Sequence, residues 1–137
     1  LYRLIMTEYF KEFKVSKVEE TNGSSLEFFQ DFTFETKRVF FVTAAEQGEV
    51  RGRHAHKKCK QLIYSVKGNF EITLKLKNGS TIYKNNLCEN KSAILVLPHV
   101  WVELKALENN STFFCLCDRN YEESDYIKQP NTFFDCV

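Results

Sequence analysis

The sequence predicts an all-β fold, a sandwich or barrel of about nine to ten short strands followed by a short irregular or helical C-terminal tail. Aromatic residues make up 15% of the chain, including thirteen Phe, and this bias favours sheet over helix. Apolar and polar residues alternate with period two, most clearly from Phe70 to Lys77. Turn signals separate such segments at intervals of roughly 8–12 residues. We expect a single domain over 1–137, in which 1–12 is an extension that is either non-native or swapped with a partner.

The individual strands are predicted from this alternation and from the turn residues that bound them. In chain order they cover 13–19, 26–30, 38–43, the segment around 54–56, 61–66, 70–77, 80–87, 93–97, 101–106 and 112–117. Three of them, 38–43, 93–97 and 112–117, are apolar on both faces, which indicates burial between two sheets. Asn78-Gly79 predicts a type I′ hairpin turn. The C-terminal tail interleaves aromatic with polar residues, and we expect short helix or extended chain there.

Charge and composition exclude several classes of function. The net charge is +1 and the basic residues are scattered, so nothing indicates binding to nucleic acid or to an anionic membrane. The longest uncharged apolar run is about six residues, far below the roughly 20 that a membrane-spanning helix needs. Residues 1–6 lack the longer apolar stretch of a signal peptide. Five cysteines, an odd number without a C-x-x-C pair, predict reduced thiols in a cytoplasmic protein.

The segment between Gly48 and Gly68 carries the motif on which the functional prediction depends. His54 and His56 lie two residues apart, so on a strand both side chains point to the same face. With the two glycines they resemble the first cupin motif, G-x5-H-x-H-x4-E-x6-G, except that Gln61 replaces the glutamate. The resemblance implies a cupin-type jelly roll. In cupins, the two histidines and the glutamate of this motif are metal ligands on the inner wall of the barrel.

The second cupin motif, G-x5-P-x-G-x2-H-x3-N, is only partly present. Pro98 fits its proline, but Val100 stands at the glycine position and Glu103 at the histidine position. His54 and His56 alone are too few for a working zinc or iron site, which takes at least three protein ligands. Glu103 would supply a third ligand, so a metal-dependent cupin enzyme that uses His54, His56 and Glu103 stays open.

Two imidazoles without a metal suit proton transfer. Because the ordinary imidazole pKa is about 6.5, one neutral ring can take a proton at neutral pH and a second can return one. Such a pair on one pocket wall fits an isomerisation between neighbouring carbons, of the aldose–ketose kind, through an enediol.

A narrower resemblance covers most of the chain, from about 15 to 127. The chain is similar to the sugar-nucleotide 3,4-ketoisomerases in the segments Arg51-Gly-x-His54-Ala-His56-Lys57, Gln61, Pro98-x-x-Trp101 with Glu103, and Tyr121-x-x-Ser-Asp125-Tyr126-Ile127. It departs from them at Val102, where a histidine often follows the tryptophan. These cupin enzymes convert dTDP-4-keto-6-deoxyglucose into dTDP-3-keto-6-deoxyhexoses, which are later aminated for bacterial surface glycans, such as lipopolysaccharide, or for antibiotics.

The resemblance implies roles for the matching residues. His54 and His56 would be the acid–base pair, one acting at C3 and the other at C4 in an order that the sequence does not give. Arg51 would bind the pyrophosphate or the developing enediolate, with Arg38 and Arg53 as weaker candidates. The other substrate-binding candidates, for stacking or hydrogen bonding, are Gln61, Trp101, Glu103 and Tyr126. The resemblance also implies no metal, no cofactor, and a homodimer in which N-terminal strands join the partner's sheet.

Other functions stay open beside this one. They are a non-catalytic sugar-binding cupin, the metal-dependent enzyme described above, and a dTDP-sugar 3,5-epimerase, which shares the substrate and the jelly roll. Asp125 is expected to pack or cap the tail, and His99 to be a loop residue. The C4 configuration of the product, the choice between dTDP and UDP, and the downstream pathway do not follow from the sequence.

Overall fold

The computed structural model describes residues 7–19 and 22–135, and strands make up most of this part of the chain. In chain order the strands are β1 (Phe10–Lys14), β2 (Ser16–Glu19), β3 (Ser25–Phe28), β4 (Arg38–Ala45), β5 (Val50–His56), β6 (Gln61–Lys67), β7 (Phe70–Lys75), β8 (Thr81–Asn86), β9 (Ser92–Val96), β10 (Trp101–Ala106), β11 (Ser111–Cys117) and β12 (Tyr126–Ile127). Two short helices, α1 (Leu87–Asn90) and α2 (Pro130–Phe133), and a 3-10 turn (Glu123–Asp125) complete the described elements. None of these helices is long and apolar enough to cross a membrane.

Two five-stranded antiparallel sheets enclose the core. One has the order β1-β9-β6-β11-β4 and the other β12-β5-β10-β7-β8, so most spatial neighbours are distant in the sequence. Alternate side chains from both sheets meet between them and are buried, among them Ile63, Ile72, Ile94, Leu104 and Phe113. This arrangement confirms the predicted all-β jelly roll, and strand β10 has the predicted bounds.

The predicted first strand is two strands in the structure. β1 pairs with β9, with Phe10 opposite Val96 and Lys14 opposite Ser92. At Val15 the chain turns away, and within the described residues β2 pairs with β3 alone. Residues 10–12 of the predicted extension therefore lie in a sheet of their own chain, whereas 1–6 lie outside the described residues.

The turn between β7 and β8 is not the predicted type I′ turn. The N–H of Gly79 donates to the carbonyl of Leu76 at 2.9 Å, and of the Asn78-Gly79 pair only the glycine has a positive φ, 88°. A type I′ turn needs a positive φ at both central residues. The loop is consequently longer than two residues, and both flanking strands are shorter than predicted.

The C-terminal tail folds back along β5, the strand that carries the histidine pair. β12 pairs with β5, with Tyr126 opposite His56 and Ile127 opposite Ala55. Phe133 of α2 packs on the outer side of the same sheet, against Trp101, with ring centroids 5.4 Å apart. The tail therefore brings its side chains next to the histidines.

Candidate active site

The two histidines of β5 come together, as their spacing predicts. Their ring centroids are 5.0 Å apart. The ring of Tyr126 lies 5.1 Å from that of His54 and 4.4 Å from that of His56. The three rings form one cluster between β5 and β12, and Tyr126 is the one stacking candidate that the structure places beside the histidines.

Asp125 completes this cluster through a hydrogen bond to His56. Its Oδ2 lies 2.8 Å from His56 Nδ1, and both side chains are buried, with exposed fractions of 8% and 4%. The same carboxylate accepts the backbone N–H of Lys58 at 2.7 Å and that of Cys59 at 3.4 Å. The other ring nitrogen of His56, Nε2, is buried and has no hydrogen-bond partner among the described residues. The expectation that Asp125 only packs or caps the tail missed this contact, and the Tyr-x-x-Ser-Asp-Tyr-Ile segment was its only signal.

The ionisation of the cluster follows from burial and from these contacts. Burial, together with the neighbouring His56, lowers the pKa of His54 to about 4. Burial also lowers the pKa of His56, and the hydrogen bond to Asp125 opposes this effect without cancelling it. Burial acts to raise the pKa of Asp125, but the hydrogen bonds from His56 and from the Lys58 amide hold it below its usual value. Near neutral pH the site therefore contains two neutral imidazoles and one carboxylate.

A bulge in β5 sets the position of His54. Val102 of β10 lies opposite His54 and Glu103 lies opposite Gly52, so Arg53 is the extra residue on the β5 side. Gly52 has a φ of 85° and Arg53 one of 59°, both in the left-handed region. The side chain of Arg53, one of the weaker candidates for binding the pyrophosphate, is exposed.

Replacing Gly52 by alanine is expected to lower the free energy of unfolding by about 2–3 kcal/mol. An added Cβ would lie 2.7 Å from the backbone oxygen of Val102, and the positive φ adds strain. Urea unfolding measures the change. The control is Gly79→Ala, because Gly79 has a similar φ of 88° but nothing within 4 Å of the added Cβ, so it should lose only about 1 kcal/mol. Equal losses in the two variants would show that the contact with Val102 is unimportant.

A small cavity of about 80 Å³ opens beside His54 inside the barrel. Gln61 and Arg51, two of the predicted substrate-binding residues, also line it. Gln61 is buried, and its Nε2 donates a weak hydrogen bond to Cys117 Sγ at 3.9 Å. Arg51 is half exposed, with its guanidinium 3.6 Å from the Glu49 carboxylate. Since sites for whole ligands usually measure about 300 Å³ or more, this cavity suits only part of a substrate.

Arg38 of β4 reaches the same cluster through Tyr126. Its Nη1 donates to the Tyr126 hydroxyl at 3.2 Å, and its Nε donates to the carbonyl of Arg119 at 3.3 Å. The guanidinium also lies over the ring of Tyr121, 5.6 Å from its centroid. These partners are neutral groups, so they do not neutralise the positive charge of Arg38. An anionic ligand could therefore still pair with it.

The structure corrects the placement of Trp101 and Glu103, which were predicted to line the pocket. Trp101 is buried against Ala55 and Phe133 on the outer face of the sheet, and its Nε1 donates to Glu103 at 3.0 Å. Between them, Val102 faces the cavity. The motif count is off by one residue, since alternation along β10 turns Val102 inward and Glu103 outward. Glu103 is therefore not brought to His54 and His56 as a third metal ligand.

A different group of donors could hold a metal ion. Within the described ranges, ligand atoms of His56, Cys59 and Asp125 lie within 4.8 Å of one another, a mixture that zinc accepts. The carboxylate, however, already accepts hydrogen bonds from His56 and from two backbone N–H groups. A hydrogen bond with Cys117, and then burial, raises the pKa of the Cys59 thiol, which opposes the thiolate form that binds metal. We interpret the group as a hydrogen-bonded histidine–carboxylate pair beside a thiol.

Comparison with known proteins places the chain in a family. Residues 7–137 match the family described as FdtA: WxcM-like, C-terminal. The chain belongs to the FdtA family. One curated protein similar to this chain is the TDP-4-oxo-6-deoxy-alpha-D-glucose-3,4-oxoisomerase of Aneurinibacillus thermoaerophilus. It is 29% identical over 125 residues, which are 90% of this chain and 88% of the relative.

Solved structures with the same fold include enzymes of two kinds. QdtA, a sugar 3,4-ketoisomerase from Thermoanaerobacterium thermosaccharolyticum in complex with TDP, superposes with a TM-score of 0.79 at 22% identity over 93% of each chain. The rmlC epimerase of Mycobacterium tuberculosis has a TM-score of 0.75 at 15% identity, over 93% of this chain and 72% of the epimerase. The fold is thus common to isomerases and epimerases, and the chemistry has to be argued from the site.

Proposed function

We propose that this FdtA-family protein is a sugar-nucleotide 3,4-ketoisomerase that converts dTDP-4-keto-6-deoxyglucose into a dTDP-3-keto-6-deoxyhexose. The observation that carries the proposal is the pair of neighbouring neutral imidazoles, His54 and His56, beside a cavity and a buried carboxylate. The name of the Aneurinibacillus relative states this activity. A mutant of QdtA is described in complex with TDP-4-keto-6-deoxyglucose, which supports the substrate class.

The reaction moves one proton between carbons and one between oxygens. A base removes the proton from C3, the electron pair of that bond forms the C3=C4 double bond, and the C4 carbonyl oxygen becomes an enolate. The O3 hydroxyl proton moves to O4, a proton is added to C4, and O3 becomes the new carbonyl oxygen. Removal of the C3 proton needs an unprotonated base, and the proton added at C4 comes from a protonated group. Burial keeps His54 and His56 unprotonated before the reaction, so either ring can act as the base, and a ring that has taken up a proton can then act as the acid.

The size of the cavity and the charges around it support the following position for the substrate. The sugar ring enters beside His54, where Gln61 can hydrogen-bond to its hydroxyls. The nucleotide remains outside, because the cavity is far smaller than a nucleotide. Arg38 and Arg51 bind the pyrophosphate, since a guanidinium presents paired donors to phosphate oxygens. The ring of Tyr126 packs beside the sugar.

Proton NMR in D2O tests the proposed reaction. EDTA-treated protein incubated with dTDP-4-keto-6-deoxyglucose is expected to form a 3-keto species with deuterium at C4. The imidazole pair needs no metal for either transfer, so EDTA should leave the rate unchanged. Folded protein that yields neither exchange nor a new species would contradict the proposal. A rate that returns only when zinc or iron is added back would favour the metal-dependent alternative.

We propose that the protein acts as a homodimer through an exposed apolar surface, which we call the β4 patch. It comprises Val39 and Phe41 of β4, Val66 of β6 and Phe114 of β11. The first three side chains are exposed by 48%, 61% and 56%, and Phe41 stacks on Phe114 with ring centroids 6.1 Å apart. Among the described residues, β4 is also an edge strand, whose unpaired backbone groups can pair with a second chain.

The β2–β3 ribbon supports the same assembly. It pairs with no other strand among the described residues, and a two-stranded ribbon alone is marginally stable in water. Val18 and Leu26 are nevertheless exposed on it. A second copy that covers these side chains would stabilise the ribbon and would fit the expected contribution of N-terminal strands to the partner. The cytoplasmic location and the role in surface-glycan synthesis stay predictions.

A further inference from the structure

We propose that Arg38 is a positioning residue that fastens residues 119–126, here called the tail segment, beside the histidine pair, and that the diphosphate of the substrate strengthens this attachment. The nucleotide part of the substrate takes no part in the proton transfers, yet through Arg38 it would raise the rate at the sugar as well as the affinity. The inference rests on the proposed function, and it adds a coupling between the two ends of the substrate.

Arg38 connects the edges of the two sheets. Among the described residues, β4 is an edge strand of one sheet and β12 is an edge strand of the other. From the first position of β4, the guanidinium donates to the Tyr126 hydroxyl at 3.2 Å and to the carbonyl of Arg119 at 3.3 Å, and it lies over the ring of Tyr121. Residues of β4 and of β5, the neighbour of β12, line the cavity beside His54. Arg38 therefore joins the two sheets on the side where the cavity lies.

The first part of the tail segment has little other support. Residues 120–124 are exposed, and the regular structure of the segment is the three-residue 3-10 turn followed by the two-residue strand β12. Its last residues are tied to β5 by strand pairing and to the N–H of Lys58 by the Asp125 carboxylate. Segments with few buried apolar contacts open at a low cost in free energy. Residues 119–121 and the hydroxyl end of Tyr126 therefore depend on Arg38.

The remaining donors of Arg38 suit a diphosphate. A guanidinium has five N–H donors, and the two hydrogen bonds to the tail segment use Nε and Nη1 and end on neutral oxygens. Nη2, with its two N–H groups, takes part in neither of these bonds. A phosphate group can therefore bind Nη2 while both bonds to the tail segment are kept. Charge-assisted hydrogen bonds of this kind are about twice as strong as neutral ones, so the diphosphate would fix the guanidinium in place.

A fixed guanidinium couples the two binding events. The tail segment then binds a side chain that has already lost its freedom, so its attachment costs less conformational entropy. The coupling is reciprocal, because a firmly attached tail segment also raises the affinity of Arg38 for the diphosphate. Lysine cannot provide this coupling, since it presents one ammonium group where arginine presents a planar set of donors.

The attachment affects the chemistry because Tyr126 contacts both imidazoles. Its ring lies 5.1 Å from that of His54 and 4.4 Å from that of His56. A displacement of about 1 Å caused far from the reacting atoms can lower a rate about 100-fold. Binding energy from the nucleotide is therefore expressed in kcat, since a remote part of the substrate helps to fix the surroundings of the reacting carbons.

Hydrogen exchange with and without TDP tests the coupling. At TDP concentrations that saturate each protein, exchange of the amide hydrogens of 119–126 should slow about five- to tenfold in the wild type. In Arg38→Lys it should change less than about twofold, because one ammonium group cannot hold the phosphate, Tyr126 and Arg119 together. An equal slowing in the two proteins, or none in a wild type that binds TDP, would overturn the inference.

Tyr126→Phe tests the same coupling with a milder change. It keeps the ring and removes only the hydroxyl that Arg38 binds. We expect kcat to fall about tenfold and the Kd of TDP to rise about fivefold. A hydroxyl with a merely structural role would leave the Kd of TDP unchanged, and that result would contradict the coupling. Tyr64→Phe is the matched control, because the ring of Tyr64 packs on Phe29 and Phe114 instead, and both constants should equal those of the wild type.

The coupling and the proposed function can fail separately. A wild type without ketoisomerase activity whose tail segment still responds to TDP would refute the function alone. An active wild type whose tail segment does not respond would refute the coupling alone. A wild type that binds no TDP would contradict both the coupling and the nucleotide-linked substrate.

Discussion

Replacing His56 by asparagine is expected to lower kcat by about 10⁴-fold, near the upper end of what a general base contributes. Asparagine keeps a polar group of similar reach beside Asp125 but cannot accept a proton at neutral pH. The same replacement of His54, the histidine that lines the cavity, is expected to lower kcat by about 10²-fold or more, because asparagine cannot accept a proton there either. The rate of product formation followed by proton NMR measures both effects.

His99→Asn is the matched control for these variants. His99 is the third histidine of the chain, it is exposed, and asparagine tolerates its positive φ of 63°. Its rate should equal that of the wild type. If the His56 and His54 variants also turned over at the wild-type rate, imidazole-mediated proton transfer would be excluded. If both lost turnover yet bound the nucleotide sugar unchanged, substrate binding and chemistry would be separated, as the catalytic proposal requires.

Phe41→Glu is expected to convert the proposed homodimer into a monomer. Loss of a buried aromatic contact costs about 1.5–3 kcal/mol, and an unpaired carboxylate in an apolar interface costs more. The dissociation constant of the dimer should therefore rise by more than about 100-fold. Size-exclusion chromatography with light scattering gives the result, since the wild type should have twice the 16.1 kDa mass of one chain.

Thr81→Glu provides the control for this variant. Thr81 is exposed at the start of β8, which is the edge strand of the opposite sheet, and the substitution adds the same charge. Thr81→Glu should remain a dimer. A wild type that is monomeric at the same concentration would contradict the homodimer. If Phe41→Glu and Thr81→Glu were both dimeric, the interface would not include the β4 patch.

Local sequence patterns predicted the parts of the fold and of the site that depend on residues adjacent to one another in the sequence. Strand period two placed His54 and His56 on one face, and it identified β10 with its observed bounds. These features follow from the pleat of a single strand, which the sequence displays directly. The all-β class follows from the same alternation repeated along the chain.

The parts that the sequence did not predict depend on register between strands. The bulge at Arg53 and the alternation of β10 decide that Val102, not Glu103, faces the cavity. Counting residues within a motif does not reveal which face of a strand is turned toward the neighbouring sheet. Asp125 was missed for a related reason, because it is 69 residues from His56 in the sequence and meets it only through the pairing of β12 with β5.

The pairing of β12 with β5 means that the candidate site is completed by a segment that follows the last strand of the two-sheet core. A polypeptide shortened to Asp118 would retain β1–β11 and both histidines, yet it would lack the carboxylate and the tyrosine ring that contact them. During synthesis on the ribosome, strands β1–β11 therefore emerge before the carboxylate that forms the hydrogen bond with His56. Substitutions in the tail can therefore change the surroundings of His56 without altering strands β1–β11.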